Sequence, residues 1–191
     1  MYRKYLKRKE KIIICAIDIL DEVGIQGLTM KEIAKRQGIT EPAVYKQFSG
    51  KQEVILTILE RFSTFDEGIR NTIRDNNMNP KDGLNYFINS YVEYYENYPQ
   101  ITTVLFSFDV YRYQSDTNNK MQCIIQERQK FVDELIRKGQ TIGEFKINIE
   151  SKELASIILG LLWSFVFEWK MSNCSYSLKE KVLSALGRIL E

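Results

Sequence analysis

Acid–base chemistry in this chain would have to rely on carboxylates, lysines and tyrosines, because none of its 191 residues is histidine. That absence excludes serine–histidine and cysteine–histidine nucleophile pairs and histidine-ligated metals. Cys15, Cys123 and Cys174 lie far apart, without the spacing of a zinc site or a disulfide framework, which favours buried thiols in a reducing compartment. Glu93 and Glu96, one helical turn apart, form only a weak carboxylate pair. The sequence therefore predicts a protein that is not an enzyme and needs neither a metal nor a cofactor.

Positive charge is concentrated at the N-terminal end of the chain. Residues 1–51 contain 11 lysines and arginines against 6 acidic residues, whereas the remainder contains 16 against 19. Such an end is the candidate for contact with a polyanion. For the first basic residues two interpretations stay open: a solvated helix end, or contact with phosphates or a minor groove. These residues are Arg3, Lys4, Lys7, Arg8, Lys9 and Lys11.

Hydrophobic periodicity predicts an all-α fold, since apolar residues recur at helical spacing and no segment alternates as a strand does. Capping signals and glycine or proline breaks then indicate the helix bounds. The predicted helices cover about residues 4–23, 29–38, 40–48, 51–75, 81–97, 99–108, 118–138, 151–171 and 177–190.

The second and third predicted helices are joined by a turn of three residues, which is the plan of a helix-turn-helix motif. Thr29 and Glu32 form a capping box that opens the second helix, and Gly38 permits a positive φ at its end. Thr40 is predicted to cap the third helix. In this motif the third helix enters the major groove. Its outward residues here are Thr40, Glu41, Pro42, Ala43, Tyr45, Lys46 and Gln47.

Three segments of this region carry a resemblance to a known family. They are Leu28-Thr29-Met30-Lys31-Glu32-Ile33-Ala34, Gly38-Ile39-Thr40, and Ala43-Val44-Tyr45-Lys46-Gln47-Phe48-Ser49-Gly50-Lys51-Gln52-Glu53-Val54. Together they resemble the N-terminal signature of the TetR family of transcriptional regulators. The resemblance implies an N-terminal three-helix helix-turn-helix DNA-binding domain at residues 1–50. It also implies a C-terminal helical effector-binding and dimerisation domain at residues 51–191.

The resemblance further implies a role for individual side chains. Thr29 and Tyr45 would contact phosphates, and Lys51, at the start of the fourth helix, would lie against the DNA backbone. Gln47 stands where the family often has an aromatic residue or histidine. The residues that would read base edges are Thr40, Glu41, Pro42, Ala43 and Lys46.

Ten aromatic residues lie between residues 86 and 113, more than a small helical core requires. In the TetR family the corresponding helices enclose a small-molecule pocket, so the resemblance implies an apolar or aromatic effector. The predicted lining is Tyr91, Tyr94, Tyr95, Phe106 and Tyr111, with Phe131 and Trp163 as the floor. Ordinary core packing is the alternative for each of these residues. Three carboxylates either attract a cationic effector or belong to solvated helix faces: Glu93, Glu96 and Asp109.

The predicted helix around residues 154–167 is apolar on nearly every side, so we expect a second subunit to cover one face. Ser156, Gly160 and Ser164 recur every four residues and would let a partner helix approach closely, beside Val182 and Leu186 of the last helix. The alternative is a core within one subunit. The apolar stretch is shorter than the roughly 20 residues of a membrane span. Without a secretory signal at the N-terminus, the sequence predicts a cytoplasmic protein.

The resemblance thus implies a homodimeric, ligand-responsive repressor of transcription. We expect it to bind a palindromic operator in double-stranded DNA and to be released by a small apolar or aromatic effector, a cationic one being an option. The alternative is a helical small-molecule-binding protein or enzyme whose helix-turn-helix is only structural. Affinity for DNA that falls steeply with salt would favour the regulator.

Overall fold

A computed structural model describes residues 6–112, 115–146 and 148–190 of the chain. Within those ranges every regular element is an α-helix, as the periodicity predicts. The helices are α1 (Arg8–Gly27), α2 (Met30–Gln37), α3 (Glu41–Tyr45), α4 (Lys51–Asp75), α5 (Pro80–Asn97), α6 (Ile101–Phe106), α7 (Phe108–Arg112), α8 (Ser115–Thr141), α9 (Ser151–Met171) and α10 (Leu178–Leu190). Arg3, Lys4 and Tyr113 lie outside the described residues.

The capping box predicted at Thr29 is confirmed on its hydroxyl side. Thr29 Oγ1 accepts the backbone N–H of Glu32 at 3.0 Å. The Glu32 carboxylate, expected to return a bond to Thr29, instead accepts from Arg36, with 2.8 Å between Oε1 and Nε. A guanidinium one turn along the helix is a charged donor, so it is a stronger partner for a carboxylate than a backbone amide.

One predicted helix is divided in the structure. The pattern predicts a helix over residues 99–108, whereas α6 ends at Phe106 and α7 begins at Phe108. Ser107 lies between them with φ −83° and ψ 66°. Its hydroxyl donates to the carbonyl oxygen of Thr103 at 2.6 Å. The amide of Ser107 donates to the Val104 carbonyl, three residues back, at 3.5 Å, so the last turn of α6 tightens and the helix ends here.

The described helices form two compact units. The first contains the described residues of Met1–Ser63 and Gln100–Gln122, so it extends beyond the predicted boundary at residue 50. Helices α6 and α7 and the start of α8 belong to it together with the basic end. Its buried aliphatic side chains include Ile12, Ile13, Ile17, Leu20, Ile33, Val54, Ile58 and Val104.

Two ion pairs tie α1 to its neighbours in the first unit. Arg36 of α2 binds Glu22 with 2.7 Å between Nη1 and Oε2. Arg61 of α4 binds Glu10. Both pairs are partly exposed, so we assign them a role in orientation rather than a large share of the stability.

The second unit contains Thr64–Pro99 and the described residues of Cys123–Glu191. In it α10 packs on α5 and on α9. The rest of its core comes from the inner faces of α5, α8 and α9. Its buried side chains include Leu84, Phe87, Val92, Val132, Ile136, Leu154, Ile158, Leu162, Val166, Leu178, Val182, Leu186 and Leu190.

Helix α9 is buried along one stripe and exposed along another. By length and hydropathy alone this 21-residue helix could cross a membrane, which holds for no other helix in the described part of the chain. Its inner stripe packs inside the second unit, while Ile157, Phe167 and Met171 are 42%, 51% and 68% exposed. A large apolar surface therefore remains on the outside of the single chain.

Candidate DNA-binding surface and effector unit

The turn between α2 and α3 is closed by backbone hydrogen bonds around Gly38. Gly38 has φ 63° and ψ 34°, a left-handed conformation that glycine adopts without strain. Its N–H donates to the Lys35 carbonyl at 3.2 Å, and the N–H of Ile39 donates to the Ala34 carbonyl at 3.1 Å. This pair of bonds is a Schellman motif. It satisfies the last carbonyls of α2 and sets the direction in which α3 begins.

Helix α3 is held in place by two buried side chains. It spans only Glu41–Tyr45, and a helix this short is unstable in isolation. Val44 and Phe48 are 0% and 1% exposed, and the ammonium of Lys9 lies 5.0 Å from the centroid of the Phe48 ring. The packing of Val44 and Phe48 therefore determines where α3 lies.

The outward side chains predicted for α3 stand at the surface of the first unit. Tyr45, for example, is 50% exposed. The predicted side-chain cap at Thr40 is wrong, because its carbonyl rather than its hydroxyl receives the N–H of Ala43, at 2.9 Å. Ala43 and Gln47 are half-buried, and five others are exposed: Thr40, Glu41, Pro42, Tyr45 and Lys46.

The sequence analysis did not select Lys31, which lies in the first turn of α2 beside Thr29. Lys31, Thr29 and Lys46 are all exposed. Neither lysine forms an ion pair with any residue that the structure describes. A cation in the first turn opposes the helix dipole, so Lys31 does not stabilise α2. That unfavourable position is the signal from which a contact with an anion could have been inferred.

The start of α4 is fixed by two polar side chains. The ammonium of Lys51 donates to the carbonyl of Ile25, and partial burial lowers its pKa. Glu53 Oε2 accepts the backbone N–H of Ser49 at 2.6 Å and its hydroxyl at 2.8 Å, and these bonds lower the pKa of Glu53. Lys51 thus holds the last turn of α1, and its contact with the DNA backbone stays a prediction.

The second unit contains a cavity between α4 and α5 that opens widely to the surface. Its volume is about 580 Å³. On its wall the rings of Phe65 and Tyr94 lie 4.6 Å apart between centroids. Aromatic and aliphatic walls with a few hydroxyls suit an amphipathic small molecule. The lining residues are Thr64, Phe65, Gly68, Ile69, Thr72, Tyr86, Ser90, Glu93, Tyr94 and Asn97.

Of the predicted pocket tyrosines on α5, only Tyr94 lines this cavity. Tyr91 and Tyr95 are 1% and 0% exposed and belong to the core of the unit. Burial raises the pKa of both phenols, which therefore stay protonated. The aromatic count predicted a pocket on α5, but helix faces decide which ring reaches it.

The other predicted pocket residues lie elsewhere. Phe106 and Tyr111 belong to the first unit, where the Tyr111 hydroxyl donates to the Val104 carbonyl. Phe131 is buried between α4 and α8, at two smaller cavities of about 300 and 290 Å³. Trp163 is half-buried on α9. Hydrophobic periodicity predicts which aromatic residues belong to one helix, but it does not reveal which helices pack against each other.

Two of the three carboxylates considered for a cationic effector, Glu93 and Glu96, are bound by residues at the start of α10. Glu93 accepts from Lys179 Nζ at 2.6 Å, which lowers the pKa of Glu93. Glu96 Oε1 accepts the Ser177 hydroxyl at 3.2 Å and the Lys179 N–H at 3.1 Å. Asp109 is exposed in the first unit. Within the described ranges no cluster of acidic and cysteine side chains is arranged to hold a metal.

A buried polar cluster, which the sequence analysis missed, joins α4, α5 and α8; it consists of Asp66, Tyr91 and Arg128. Arg128 binds Asp66 twice, with 2.7 Å from Nε to Oδ2 and 3.1 Å from Nη2 to Oδ1. The Tyr91 hydroxyl donates to Asp66 Oδ1, and the Arg128 guanidinium lies 4.7 Å from the Tyr91 ring centroid. Asp66 and Arg128 are 1% and 3% exposed.

The sequence does contain a signal for this cluster. Phe62, Asp66, Ile69 and Ile73 follow one another at helical spacing, and all four are buried. A carboxylate on such an apolar stripe must find a charged partner inside the protein. The partner could not be predicted, because it lies 62 residues away.

The predicted dimer residues fall on two different surfaces. Ser156, Gly160 and Ser164 are exposed on α9. Val182 and Leu186 are 0% and 1% exposed, so their assignment to a free face of α10 needs correction. The apolar stripe of α10 is already used inside the subunit against α5 and α9.

Comparisons with known proteins agree with this architecture. Residues 12–58 match the family described as bacterial regulatory proteins, tetR family. Residues 58–190 match the C-terminal region described for YsiA-like proteins. The chain is 32% identical over 59 residues to the tetracycline repressor protein class C of Escherichia coli, covering 31% of this chain and 27% of that protein. The chain spans less than half of the first three curated relatives, matching 27%, 47% and 23% of their lengths.

Solved structures match the chain over almost its whole length. The MbdR regulator from Azoarcus sp. CIB has a TM-score of 0.83 at 25% identity, covering 95% of this chain and 96% of that chain. The transcriptional regulator FadR from Bacillus subtilis, in complex with stearoyl-CoA, has a TM-score of 0.80 at 20% identity, covering 96% of this chain and 98% of that chain. At such identities these similarities show the fold.

Proposed function

Since this chain belongs to the tetR family of bacterial regulatory proteins, we propose that it is a homodimeric cytoplasmic repressor. It binds a palindromic operator through α2 and α3 and is released when a small molecule occupies the second unit. Release requires that the small molecule binds the conformation that cannot bind the operator more tightly than the conformation that can.

The observation that carries the DNA-binding proposal is that α3 exposes a polar face while buried side chains hold its opposite face in the first unit. Val44 and Phe48 are buried, whereas Tyr45 and Lys46 on the same segment are exposed. A recognition helix needs this division, because its inner side must be rigid while its outer side meets base edges. Lys31 adds to α2 a positive charge that forms no ion pair within the described part of the chain.

The experiment that tests this function is a selection of bound sequences from a random pool of double-stranded DNA. We expect a palindrome whose half-sites lie about 34–36 Å apart, one turn of DNA. We also expect affinity to fall steeply as salt rises, because bound phosphates release counterions. If the folded protein enriches no sequence at low salt, the helix-turn-helix is only structural.

Substitutions on α3 should separate phosphate contacts from base contacts. We expect Tyr45→Ala to weaken binding to operator and unrelated DNA alike, by about 1.5–3 kcal/mol for a hydrogen bond to a charged group. Lys46→Ala should weaken operator binding by a similar amount and also change the preferred sequence. Quantitative gel shifts on both DNAs measure the two effects. Lys130→Ala, an exposed lysine of the second unit, is the control; if all variants bind alike, the groove assignment is wrong.

The exposed stripe of α9 supports the homodimer. It presents Ile157, Phe167 and Met171 beside Gly160 and Ser164. Exposed apolar side chains flanking small residues are typical of a face that another helix covers. The same face of a second copy would bury this stripe with twofold symmetry.

A charge on this stripe should separate the subunits. A Cβ at Gly160 meets no atom within 4 Å, so Gly160→Glu leaves the subunit fold intact but places a carboxylate in the interface. We expect the dissociation constant of the dimer to rise at least about a hundredfold, since an unpaired buried charge costs several kcal/mol. Sedimentation velocity measures the shift. Gly68→Glu, at an equally open helical glycine on α4, should remain dimeric; dissociation of both variants, or of neither, would contradict this interface.

The effector is proposed to be an amphipathic molecule with an apolar or aromatic part. The cavity between α4 and α5 has room for it, whereas Glu93 and Glu96 are bound by α10 and Asp109 belongs to the first unit. The FadR regulator of Bacillus subtilis was solved with stearoyl-CoA, whose acyl chain belongs to this class. We would test long-chain acyl-CoA thioesters beside aromatic and cationic compounds for release of the selected operator.

A further inference from the structure

We propose that a groove between α4 and α8 binds a small molecule in which an apolar chain or ring carries one anionic group. The groove is formed by the two smaller cavities, of about 300 and 290 Å³, which share the side chains of Arg74, Phe131 and Glu134. All its lining residues lie in the second unit. The proposal goes beyond the proposed function, because it adds a binding site whose occupation can be measured without DNA.

Positive charge predominates in this groove. Its basic side chains outnumber its carboxylates, with Arg70, Arg74, Lys130 and Lys138 against Glu127 and Glu134. Arg70 binds Glu127, with 3.3 Å between Nη2 and Oε2. The other three cations form no ion pair within the described part of the chain. They remain beside one carboxylate, that of Glu134.

Ordinary helix stabilisation explains only part of this arrangement. Arg74 and Lys138 lie in the last turns of α4 and α8, where the helix dipole favours a cation. Lys130, however, lies about three turns before the end of α8. Arg70 and Arg74 are like charges one turn apart on α4, which is unfavourable for that helix. An anion between α4 and α8 would offset this repulsion and attract the cations of both helices.

The floor of the groove is apolar. Ile73 of α4 and Phe131 and Leu135 of α8 line it and are buried. The guanidinium of Arg74 lies 6.0 Å from the centroid of the Phe131 ring, so a charge and an apolar surface are presented side by side. An inorganic anion would leave this floor unused, whereas an aliphatic chain or aromatic ring would pack on it.

The cavity between α4 and α5 has the opposite charge character. Among the described residues that line it there is no lysine or arginine, and its carboxylate is that of Glu93. The α4 residues of that cavity include Gly68 and Thr72, whereas those of the groove include Arg70 and Arg74. At 3.6 residues per turn these pairs lie on different faces of α4. An anionic ligand should therefore choose the groove.

The test measures binding of decanoate and of decanol to the full chain by isothermal titration calorimetry, without DNA. The two probes share an apolar chain, but only decanoate carries a charge. We expect Arg74→Gln to weaken decanoate binding at least about fivefold, because it removes a charged donor, and to change decanol binding less than about twofold. Arg137→Gln, at an exposed residue of α8 outside the groove, is the control and should leave both affinities within about twofold of wild type.

Glu134→Gln should act in the opposite direction. It removes a carboxylate that repels the anion, so decanoate should bind at least about threefold more tightly while decanol binding stays unchanged. A damaged fold would not produce such a gain. Gly68→Trp, which fills the cavity between α4 and α5 from an open position, should leave decanoate binding unchanged.

Decyl phosphate, titrated in parallel, distinguishes two sources of the anionic group. Tighter binding of decyl phosphate would assign the ligand to phosphate-bearing compounds, and tighter binding of decanoate to carboxylic acids. The proposal is overturned if neither anion binds the wild type saturably, if Arg74→Gln affects decanoate and decanol alike, or if Gly68→Trp abolishes decanoate binding. None of these outcomes bears on operator binding, which the selection experiment tests separately.

Discussion

Replacement of Asp66 by alanine is expected to lower the free energy of unfolding by roughly 3–5 kcal/mol, the usual cost of leaving a buried charge without its partner. Arg128 is 3% exposed and would keep its charge in that site, since a guanidinium cannot be deprotonated there. Tyr91 would also lose the acceptor of its hydroxyl. Urea unfolding at neutral pH measures the change.

The chain offers a matched control on the same two helices. Arg70 of α4 binds Glu127 of α8 with 3.3 Å between Nη2 and Oε2, but the Glu127 side chain is 52% exposed. Glu127→Ala should therefore cost about 1 kcal/mol or less. Equal effects for Asp66→Ala and Glu127→Ala would show that burial does not distinguish the two pairs. Replacement of Asp66 and Arg128 together by leucine and methionine should recover most of the lost stability.

Phe48→Ala is the second substitution with a large expected effect. Truncation of a fully buried phenylalanine costs roughly 3–5 kcal/mol through lost contacts and the cavity left behind. The position of α3 depends on Phe48 and Val44, so operator binding should fall with stability. Thermal unfolding and gel shifts, run on the same preparations, measure both.

Phe108→Ala is the control for this prediction. Phe108 also belongs to the first unit but is 75% exposed, so its removal should change stability by no more than about 0.5 kcal/mol. If Phe48→Ala retained operator affinity while losing several kcal/mol of stability, α3 would be positioned by other contacts than the ring of Phe48.

The helix-turn-helix could be predicted from the sequence because its determinants are local. Thr29 caps α2 by accepting the N–H of Glu32, only three residues further along the chain. Gly38 supplies the positive φ of the turn within the same ten residues. The outward face of α3 follows from the same short-range geometry. Sequence analysis did less well with Lys51, because its partner Ile25 is fixed only when α1 and α4 meet.

The positions of the aromatic and apolar side chains in the second unit could be predicted only in part from the sequence. The aromatic residues of α5 were recognised, but only Tyr94 among the predicted tyrosines of that helix faces the cavity. Phe106 and Tyr111 belong to the first unit, which no local pattern reveals. The pattern predicts Val182 and Leu186 on the dimer face, which is wrong, because an apolar stripe does not say which neighbour covers it. Asp66 and Arg128 depend on a contact across 62 residues.

The order of charges along α4 limits how that helix can move. A slide by one turn, about 5.4 Å, would bring Arg70 to the place of Asp66 and set two buried guanidinium groups against each other. Such a slide is therefore unfavourable, and the two hydrogen bonds from Arg128 to Asp66 keep α4 in one register on α8.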